Sequence, residues 1–296
     1  MLSSNAVPSA LRQLQTDILN AETTQTPVEF MRFIRRLRRD PAAVDLVRKN
    51  ETRQSLGQWW WLQRWRRVDL SADVTLFRGR SWAAGRGLFI GLAGFHGRLM
   101  VPTPVFLQAV RARDWDVLIV RDPTKSQFRR GAPGVGGSIP ELARNLDHLA
   151  QPYKRRVVLG TSMGGLAAIR LALHWPGTRG VSVGGVRSLD VRRIYSDPWP
   201  GMAYDPLCDC LEKPPRDLWF LHGANHEQDK RVAVQYKRMV NGERLAVTDC
   251  PSHILLAHLW RQGRLEPFLA ALLDTTQSPK ALRRTLTAIK PLRSEG

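Results

Sequence analysis

The amino-acid sequence predicts a doubly wound, mostly parallel α/β sheet that helices flank on both faces. Three observations support this prediction. First, short apolar runs alternate with segments of helical periodicity from about residue 74 to residue 275. Second, the runs are continuously apolar, as in strands that are buried on both faces, and do not alternate between apolar and polar residues. Third, there are seven or eight such runs, which suits an open sheet.

The composition is that of a folded globular protein, since 43% of the 296 residues are hydrophobic and 24% are charged. No apolar run approaches the roughly 20 residues that cross a bilayer. The first residues lack the pattern of a secretory signal, so we expect a cytoplasmic protein, with peripheral membrane contact left open. The net charge of +19 is compatible with an anionic membrane surface, nucleic acid or an acidic substrate. Charge alone therefore does not identify the partner.

Residues 1–57 are predicted to form a helical extension in front of the sheet. Three short periodic segments occupy 8–21, 26–39 and 41–50, and Thr26 is a candidate helix cap. The stretch FMRFIRRLRR in the second segment is amphipathic, with a basic face that we expect to be solvated. Contact of this face with anionic lipid headgroups remains open.

Residues 58–73 are predicted to connect this extension to the sheet. The stretch GQWWWLQRWRR, residues 57–67, places four tryptophans among three arginines. Such a mixture can enter a membrane interface or stack on nucleic acid. Three adjacent tryptophans cannot share one face of a helix or a strand, however. We therefore expect some of them to pack inward, as a seam between the extension and the sheet.

Residues 74–275 are predicted to form the α/β domain. The expected strands are 73–79, 86–94, 115–122, 155–161, 179–186, 218–223 and 244–249, and the expected helices are 101–114, 138–151, 163–175, 229–240 and one that opens near 253. A Pro-rich insertion at about 190–216 is predicted to form part of a lid. The basic tail, 276–296, is predicted to be a loosely attached helix or disordered.

A small group of glycines surrounds one serine between a predicted strand and a predicted helix. Gly160, Ser162 and Gly164 fit the pattern G-x-S-x-G in the sequence GTSMGG. A turn this sharp leaves no room for side chains at the two glycines, and it exposes the serine beside a helix amino terminus that favours negative charge. We therefore interpret this segment as a nucleophile elbow with Ser162 as the nucleophile.

With this elbow the chain resembles the α/β-hydrolase superfamily, over roughly residues 74–273. The family's catalytic residues follow in the order serine, acid, histidine, and its histidine lies in a loop after the last strand. The resemblance therefore implies that His253 is the base. His258 is the competitor, although it falls inside the next predicted helix. The spacing of the two histidines does not fit a helical metal pair.

The acid is less well defined by the sequence. The resemblance places it after the penultimate strand, commonly three residues past a glycine, where this chain has His226. Asp229, three residues later, is our first candidate and Glu227 the second, while Asp190 after the preceding strand is the third. A role of Asp229 as a helix cap is an equally valid interpretation of the sequence alone.

The resemblance also implies an oxyanion hole and a reaction. Its donors are the backbone N–H of Met163 and one from the loop after the third predicted strand, where Gly94 takes the place of the family's glycine and Phe95 is the donor. His96 lies beside it. A serine hydrolase of this kind cleaves a small-molecule carboxylic ester or thioester through an acyl-enzyme, without metal or organic cofactor.

Two other interpretations remain open at the level of sequence. The same catalytic machinery can transfer an acyl group to an alcohol or amine. A catalytically inactive protein of the same fold could instead use its basic surface for binding, with nucleic acid the less favoured partner.

Overall fold

The computed structural model describes residues 9–57, 61–79, 85–186, 217–247 and 249–289. The predicted insertion at 190–216, the alternative acid Asp190, Trp59 and Trp60, and the end of the basic tail all lie outside these ranges. Within them, four helices precede the sheet: α1 (Ser9–Thr24), α2 (Pro27–Leu37), α3 (Val44–Lys49) and α4 (Glu51–Leu56).

The second helix begins with a capping box, which explains where it starts. The Thr26 hydroxyl accepts from the Glu29 N–H at 3.2 Å, and a Glu29 carboxylate oxygen accepts from the Thr26 N–H at 2.9 Å. Pro27 occupies the first helical position, where its missing N–H costs nothing. The buried face of α2 contributes Phe30 and Ile34 to a small apolar core that the four helices share.

Eight strands form one sheet. They are β1 (Trp65–Asp69), β2 (Val74–Gly79), β3 (Gly87–Leu92), β4 (Trp115–Val120), β5 (Arg155–Thr161), β6 (Arg179–Val183), β7 (Leu218–Gly223) and β8 (Glu243–Val247). Their spatial order is β1-β2-β4-β3-β5-β6-β7-β8. β2 pairs antiparallel with both of its neighbours, and all other pairs are parallel. The predicted sheet is thus present, with β2 as its one reversed strand in the described chain.

Within the described residues, seven α-helices follow the first strands. They are α5 (Thr103–Ala109), α6 (Ile139–Ala150), α7 (Gly165–His174), α8 (Glu227–Val240), α9 (Leu255–Arg261), α10 (Leu265–Leu273) and α11 (Pro279–Ala288). Successive strand residues enter opposite layers: Phe89 belongs to the cluster with α5, α9, α10 and α11, whereas Leu88 and Ile90 belong to the cluster with α6 and α7. Burial on both faces explains why the strands are continuously apolar.

The structure differs from the sequence prediction in three places. β1 lies within the segment assigned to the connector, so the sheet begins earlier than expected. α5 ends at Ala109, several residues before the predicted end, and the chain turns there into β4. The first part of the basic tail forms the packed helix α11, in which Leu282 and Leu286 are buried.

The tryptophan-rich segment is packed only in part. Trp65 is buried and its indole N–H donates to the Leu107 carbonyl at 3.1 Å, whereas Trp61 is 72% exposed. Trp65 thus contributes to the inward packing expected of this segment, and Trp61 does not. None of the helices in the described part of the chain has the length and apolar character that spanning a bilayer requires.

The N-terminal helices dock onto the sheet through the end of α1. The Thr23 carbonyl accepts from the Thr103 hydroxyl and from the Arg121 guanidinium, both at 2.8 Å. Thr103 opens α5, and Arg121 directly follows β4. The docking site therefore lies at the carboxyl edge of the parallel strands, which is the edge where sheets of this class bind ligands.

Candidate active site

The turn after β5 has the geometry predicted for GTSMGG. Ser162 has a φ of 51°, a left-handed conformation that is uncommon for a residue with a side chain. A Cβ at Gly160 would lie 1.9 Å from the Gly164 carbonyl oxygen, and one at Gly164 would lie 2.5 Å from the Leu92 carbonyl oxygen. Both positions therefore require glycine. A strained serine held between β5 and α7 is typical of functional turns.

Three of the predicted site residues come together at this turn. The Ser162 hydroxyl lies 2.9 Å from His253 Nε2, and His253 Nδ1 lies 2.9 Å from each carboxylate oxygen of Asp229. The Asp229 side chain is 1% exposed and that of His253 is 30% exposed. The line from hydroxyl through imidazole to buried carboxylate is the arrangement by which a histidine can take a proton from a serine.

Each member of this line stands on a different part of the carboxyl edge. His253 lies in the loop between β8 and α9, and Asp229 is in the first turn of α8. Gly184, just past β6, leaves the space that they share, because a Cβ there would lie 3.0 Å from Asp229 Oδ2 and 3.1 Å from His253 Nδ1.

Two alternatives were considered from the sequence: Asp229 as a helix cap, and His258 in place of His253 as the base. The structure gives both residues other contacts. Asp229 does not cap α8, since the N-cap residue is His226. The competing histidine, His258, lies within α9 with Nε2 3.7 Å from an Asp249 carboxylate oxygen. Asp249 also binds the Arg264 guanidinium at 2.5 Å, and this ion pair holds the pKa of Asp249 below its usual value against the opposing effect of burial.

The second candidate acid faces away from the histidine. Glu227 is exposed and accepts a hydrogen bond from the Lys230 ammonium at 3.0 Å, which lowers the pKa of Glu227. The third candidate, Asp190, is outside the described residues. Of the carboxylates considered from the sequence, Asp229 is the one that the described structure places against His253.

The loop after β3 lies beside the serine. A Cβ at Gly94 would lie 3.2 Å from Thr161 Oγ1 and 3.4 Å from the Ser162 Cβ, so the loop passes in close contact with the turn that holds the serine. The Gly94 N–H donates to the Arg98 carbonyl at 2.9 Å, which closes the loop into a tight turn. Phe95 follows within that turn, with its ring 5.3 Å from that of His96, and Met163 follows Ser162 at the start of the helical turn.

Helix α1 contacts the same loop through a buried carboxylate, an interaction that the sequence did not indicate. Glu22 accepts from Arg98 at 3.1 Å, from Asn50 at 2.9 Å and from Thr52 at 2.6 Å. The Arg98 carbonyl that closes the loop thus belongs to a residue whose side chain the N-terminal helices hold.

A second histidine touches the acid. His226 Nδ1 lies 3.1 Å from Asp229 Oδ1 and accepts from the Asp229 N–H at 3.3 Å, and its ring centroid is 5.6 Å from that of His253. The sequence marked His226 only as a departure from the family pattern. These three residues also have the donor types of a metal site, with ligand atoms within 4.8 Å of one another. A metal bound at His253 Nδ1 would take the place of the proton between Nδ1 and the Asp229 carboxylate.

Two further titratable groups near this end of the sheet are buried. Burial raises the pKa of the Cys250 thiol, which donates to the Ser252 carbonyl at 3.3 Å. Burial also lowers the pKa of His222, whose Nδ1 lies 2.9 Å from the Gly223 carbonyl. In both cases burial disfavours the charged form of the side chain.

The order and direction of the strands identify the fold. Eight strands in the order 1-2-4-3-5-6-7-8, with the second reversed and Ser162 directly after the fifth, form the mostly parallel sheet that the sequence predicted. The chain has the α/β-hydrolase fold. Solved structures with similar folds include esterases and other hydrolases, and they cover most of this chain at low sequence identity.

Three of these structures illustrate the likeness. Est1E from Butyrivibrio proteoclasticus has a TM-score of 0.45 and 11% identity, over 70% of this chain and 98% of its own. The serine hydrolase FphF of Staphylococcus aureus, described as fluorophosphonate-binding, has a TM-score of 0.46 and 13% identity, over 73% of this chain and 99% of its own. A 2,6-dihydroxy-pseudo-oxynicotine hydrolase has a TM-score of 0.47 and 16% identity, over 81% of this chain and 76% of its own. No protein-family model and no curated protein sequence matches the chain.

Proposed function

We propose that this protein is a serine hydrolase that cleaves a carboxylic ester or thioester through an acyl-enzyme intermediate. The observation that carries the proposal is the continuous line from the Ser162 hydroxyl through His253 to the buried carboxylate of Asp229. Two further observations support it: the turn that holds Ser162 requires glycine at positions 160 and 164, and Gly184 lies close against Asp229 and His253.

In the proposed reaction Ser162 Oγ attacks the acyl carbon while His253 Nε2 takes its proton. The leaving alcohol or thiol departs with that proton as the tetrahedral intermediate collapses to the acyl-enzyme. Water then attacks, His253 again accepts a proton, and the acid is released when the proton returns to Ser162 Oγ. Asp229 holds the imidazole in the tautomer with Nδ1 protonated and stabilises the imidazolium that forms in each half.

The backbone N–H groups of Met163 and Phe95 are the proposed oxyanion donors. Met163 begins the turn that leads into α7, whose amino terminus favours the developing negative charge. Phe95 lies in the tight turn next to Ser162. Donors of this kind, already in place before the reaction, each contribute about 3 kcal/mol to such transition states.

A fluorophosphonate probe tests the proposal directly, because it phosphonylates a serine only where a base activates it. We expect labelling of the native protein and none of Ser162→Ala. Ser55→Ala, which changes an exposed serine, is the matched control and should label like the native protein. A well-folded native sample that does not react would contradict the proposal and favour a binding protein with the same fold.

Turnover of p-nitrophenyl esters and acyl thioesters of graded chain length then separates the proposed substrate classes. Adding an alcohol or amine acceptor distinguishes hydrolysis from acyl transfer. A transferase would form more of the acylated acceptor than of the free acid.

A further inference from the structure

A groove lined by arginines lies between α2 and the first strand of the sheet, on the N-terminal side of the molecule. Its volume is about 580 Å³, and its lining consists of Gln25, Glu29, Arg32, Arg35, Arg36, Arg39 and Arg67. Five of these seven residues carry a positive charge and one a negative charge. The volume falls in the range of sites for small molecules.

The spacing of the arginines along α2 makes the concentration of charge a property of one helix face. Arg36 follows Arg32 by four residues and Arg35 follows it by three, so these three side chains lie on one broad face of α2, and Arg39 lies in the turn just after the helix ends at Leu37. The opposite side holds the buried Phe30. Like charges at these intervals destabilise a helix, and a bound anion would relieve that repulsion.

The single acid in the groove is already engaged. Glu29 accepts from the Thr26 N–H at 2.9 Å as part of the capping box, which keeps its carboxylate at the start of the helix. Across the groove, Arg67 pairs with Asp69 at 2.9 Å on strand β1. The four arginines from Arg32 to Arg39 therefore outnumber the one carboxylate in the lining, while the charge of Arg67 is paired with that of Asp69.

Gln25, which also lines the groove, has an unsatisfied amide oxygen. The side-chain Oε1 of Gln25 is buried and accepts no hydrogen bond from any residue that the structure describes. A buried polar atom without a partner carries an energetic cost. The groove is therefore lined in part by a residue whose amide oxygen the described residues leave without a partner.

The geometry points to a binding site for a small molecule that carries adjacent phosphate groups. Guanidinium groups bind phosphate oxygens in pairs, and several of them converging on one groove match several phosphates better than a single carboxylate. A planar membrane surface would contact the outermost side chains and could not enter a concave groove. This site is independent of the proposed hydrolase reaction, because none of its residues belongs to the Ser162 line.

Titration of the full chain with inorganic tripolyphosphate tests the site. In about 0.15 M salt we expect saturable binding by calorimetry and a rise in melting temperature with ligand concentration. Arg36→Gln/Arg39→Gln should weaken this binding roughly tenfold or more. The matched control, Arg144→Gln/Arg238→Gln, removes two exposed arginines from α6 and α8 and lowers the net charge equally; its dissociation constant should stay within about twofold of the native value.

The outcomes that overturn the proposal are specific. If both double variants bound tripolyphosphate equally weakly, the affinity would depend only on the net charge of the protein and not on the groove. Absence of saturable binding would also overturn it. If the protein instead sedimented with phosphatidylglycerol vesicles, or bound single-stranded DNA, in an Arg36- and Arg39-dependent way without binding tripolyphosphate, the surface would serve a membrane or a nucleic acid and the small-molecule site would be wrong.

Discussion

At the scale of single residues, the proposed reaction depends on one buried carboxylate whose role the sequence left open. Asp229 contacts two histidines at once, since both His253 and His226 have Nδ1 within 3.1 Å of its oxygens. Only His253 also reaches the serine. Asp229 therefore determines which nitrogen of His253 carries the proton, and its replacement should affect turnover more than folding.

We predict that Asp229→Asn lowers kcat for a p-nitrophenyl ester by about 10³- to 10⁴-fold, because an amide can donate to Nδ1 and favour the wrong tautomer. Glu227→Gln should change kcat less than about twofold, since Glu227 is exposed and its hydrogen bond is to Lys230. Steady-state kinetics on variants with native circular dichroism measures both. Loss of turnover in Glu227→Gln with retention in Asp229→Asn would reverse the assignment.

At the scale of elements, the N-terminal helices contribute to the proposed oxyanion loop. Glu22 of α1 holds the Arg98 guanidinium, and the Arg98 carbonyl accepts from the Gly94 N–H within that loop. The helical extension is thus connected to the turn that contains Phe95 through Arg98, whose side chain contacts α1 and whose carbonyl closes the turn. Displacing α1 should move the loop before it affects Ser162 or His253.

We predict that Arg98→Gln lowers kcat about tenfold with a smaller change in KM, since one oxyanion donor would be misplaced in the transition state. It should also lower the free energy of unfolding by about 2 kcal/mol, because the partly buried Glu22 carboxylate loses its cation. Urea unfolding and ester kinetics measure the two effects. Glu51→Gln, which changes an exposed acid paired with Arg261 at 3.4 Å, is the control.

The double variant Glu22→Gln/Arg98→Gln completes a thermodynamic cycle for this pair. If the two side chains act through each other, the stability losses of the single variants will not add. Additive losses, with kcat unchanged in Arg98→Gln, would contradict the connection between α1 and the oxyanion loop.

The sequence predicted elements that carry a strong local pattern and missed those that do not. Strands β3 to β7 are buried over all or most of their length, and GTSMGG combines a steric requirement with a strand-to-helix context, so both could be predicted. β1 is an edge strand with the sequence WRRVD, in which only Trp65 is buried. Its pairing with β2 depends on backbone contacts with a different segment of the chain, which the local sequence pattern does not show.

The contacts of the site show the same limit. His253 could be predicted because it follows the last strand at the edge where Ser162 lies. Asp229 remained one of three candidates, because the start of α8 at Glu227 determines which side chain faces the histidine. The Glu22 and Arg98 pair joins residues 76 positions apart, and sequence periodicity carries no information at that distance.

At the scale of the whole molecule, stability should depend on pH through a buried histidine on a strand that is paired on both sides. His222 on β7 is 1% exposed, and its Nε2 has no hydrogen-bond partner among the described residues. Burial lowers the pKa of His222 in the folded protein. The unfolded chain, where histidine has a pKa of about 6.5, therefore binds a proton at a higher pH than the folded protein does.

We predict that the free energy of unfolding is insensitive to His222 above about pH 7.5 and declines as pH falls below about 6.5, by up to about 1.4 kcal/mol per pH unit. His222→Gln cannot take up this proton, so its stability should decline less steeply over the same range. Urea unfolding at constant ionic strength measures the slopes. His148→Gln, at an exposed position on α6, controls for the loss of a histidine and should leave the native slope. Equal slopes in native protein and His222→Gln would mean that the strand admits the charged imidazole, which would contradict the closed packing of β7 between β6 and β8.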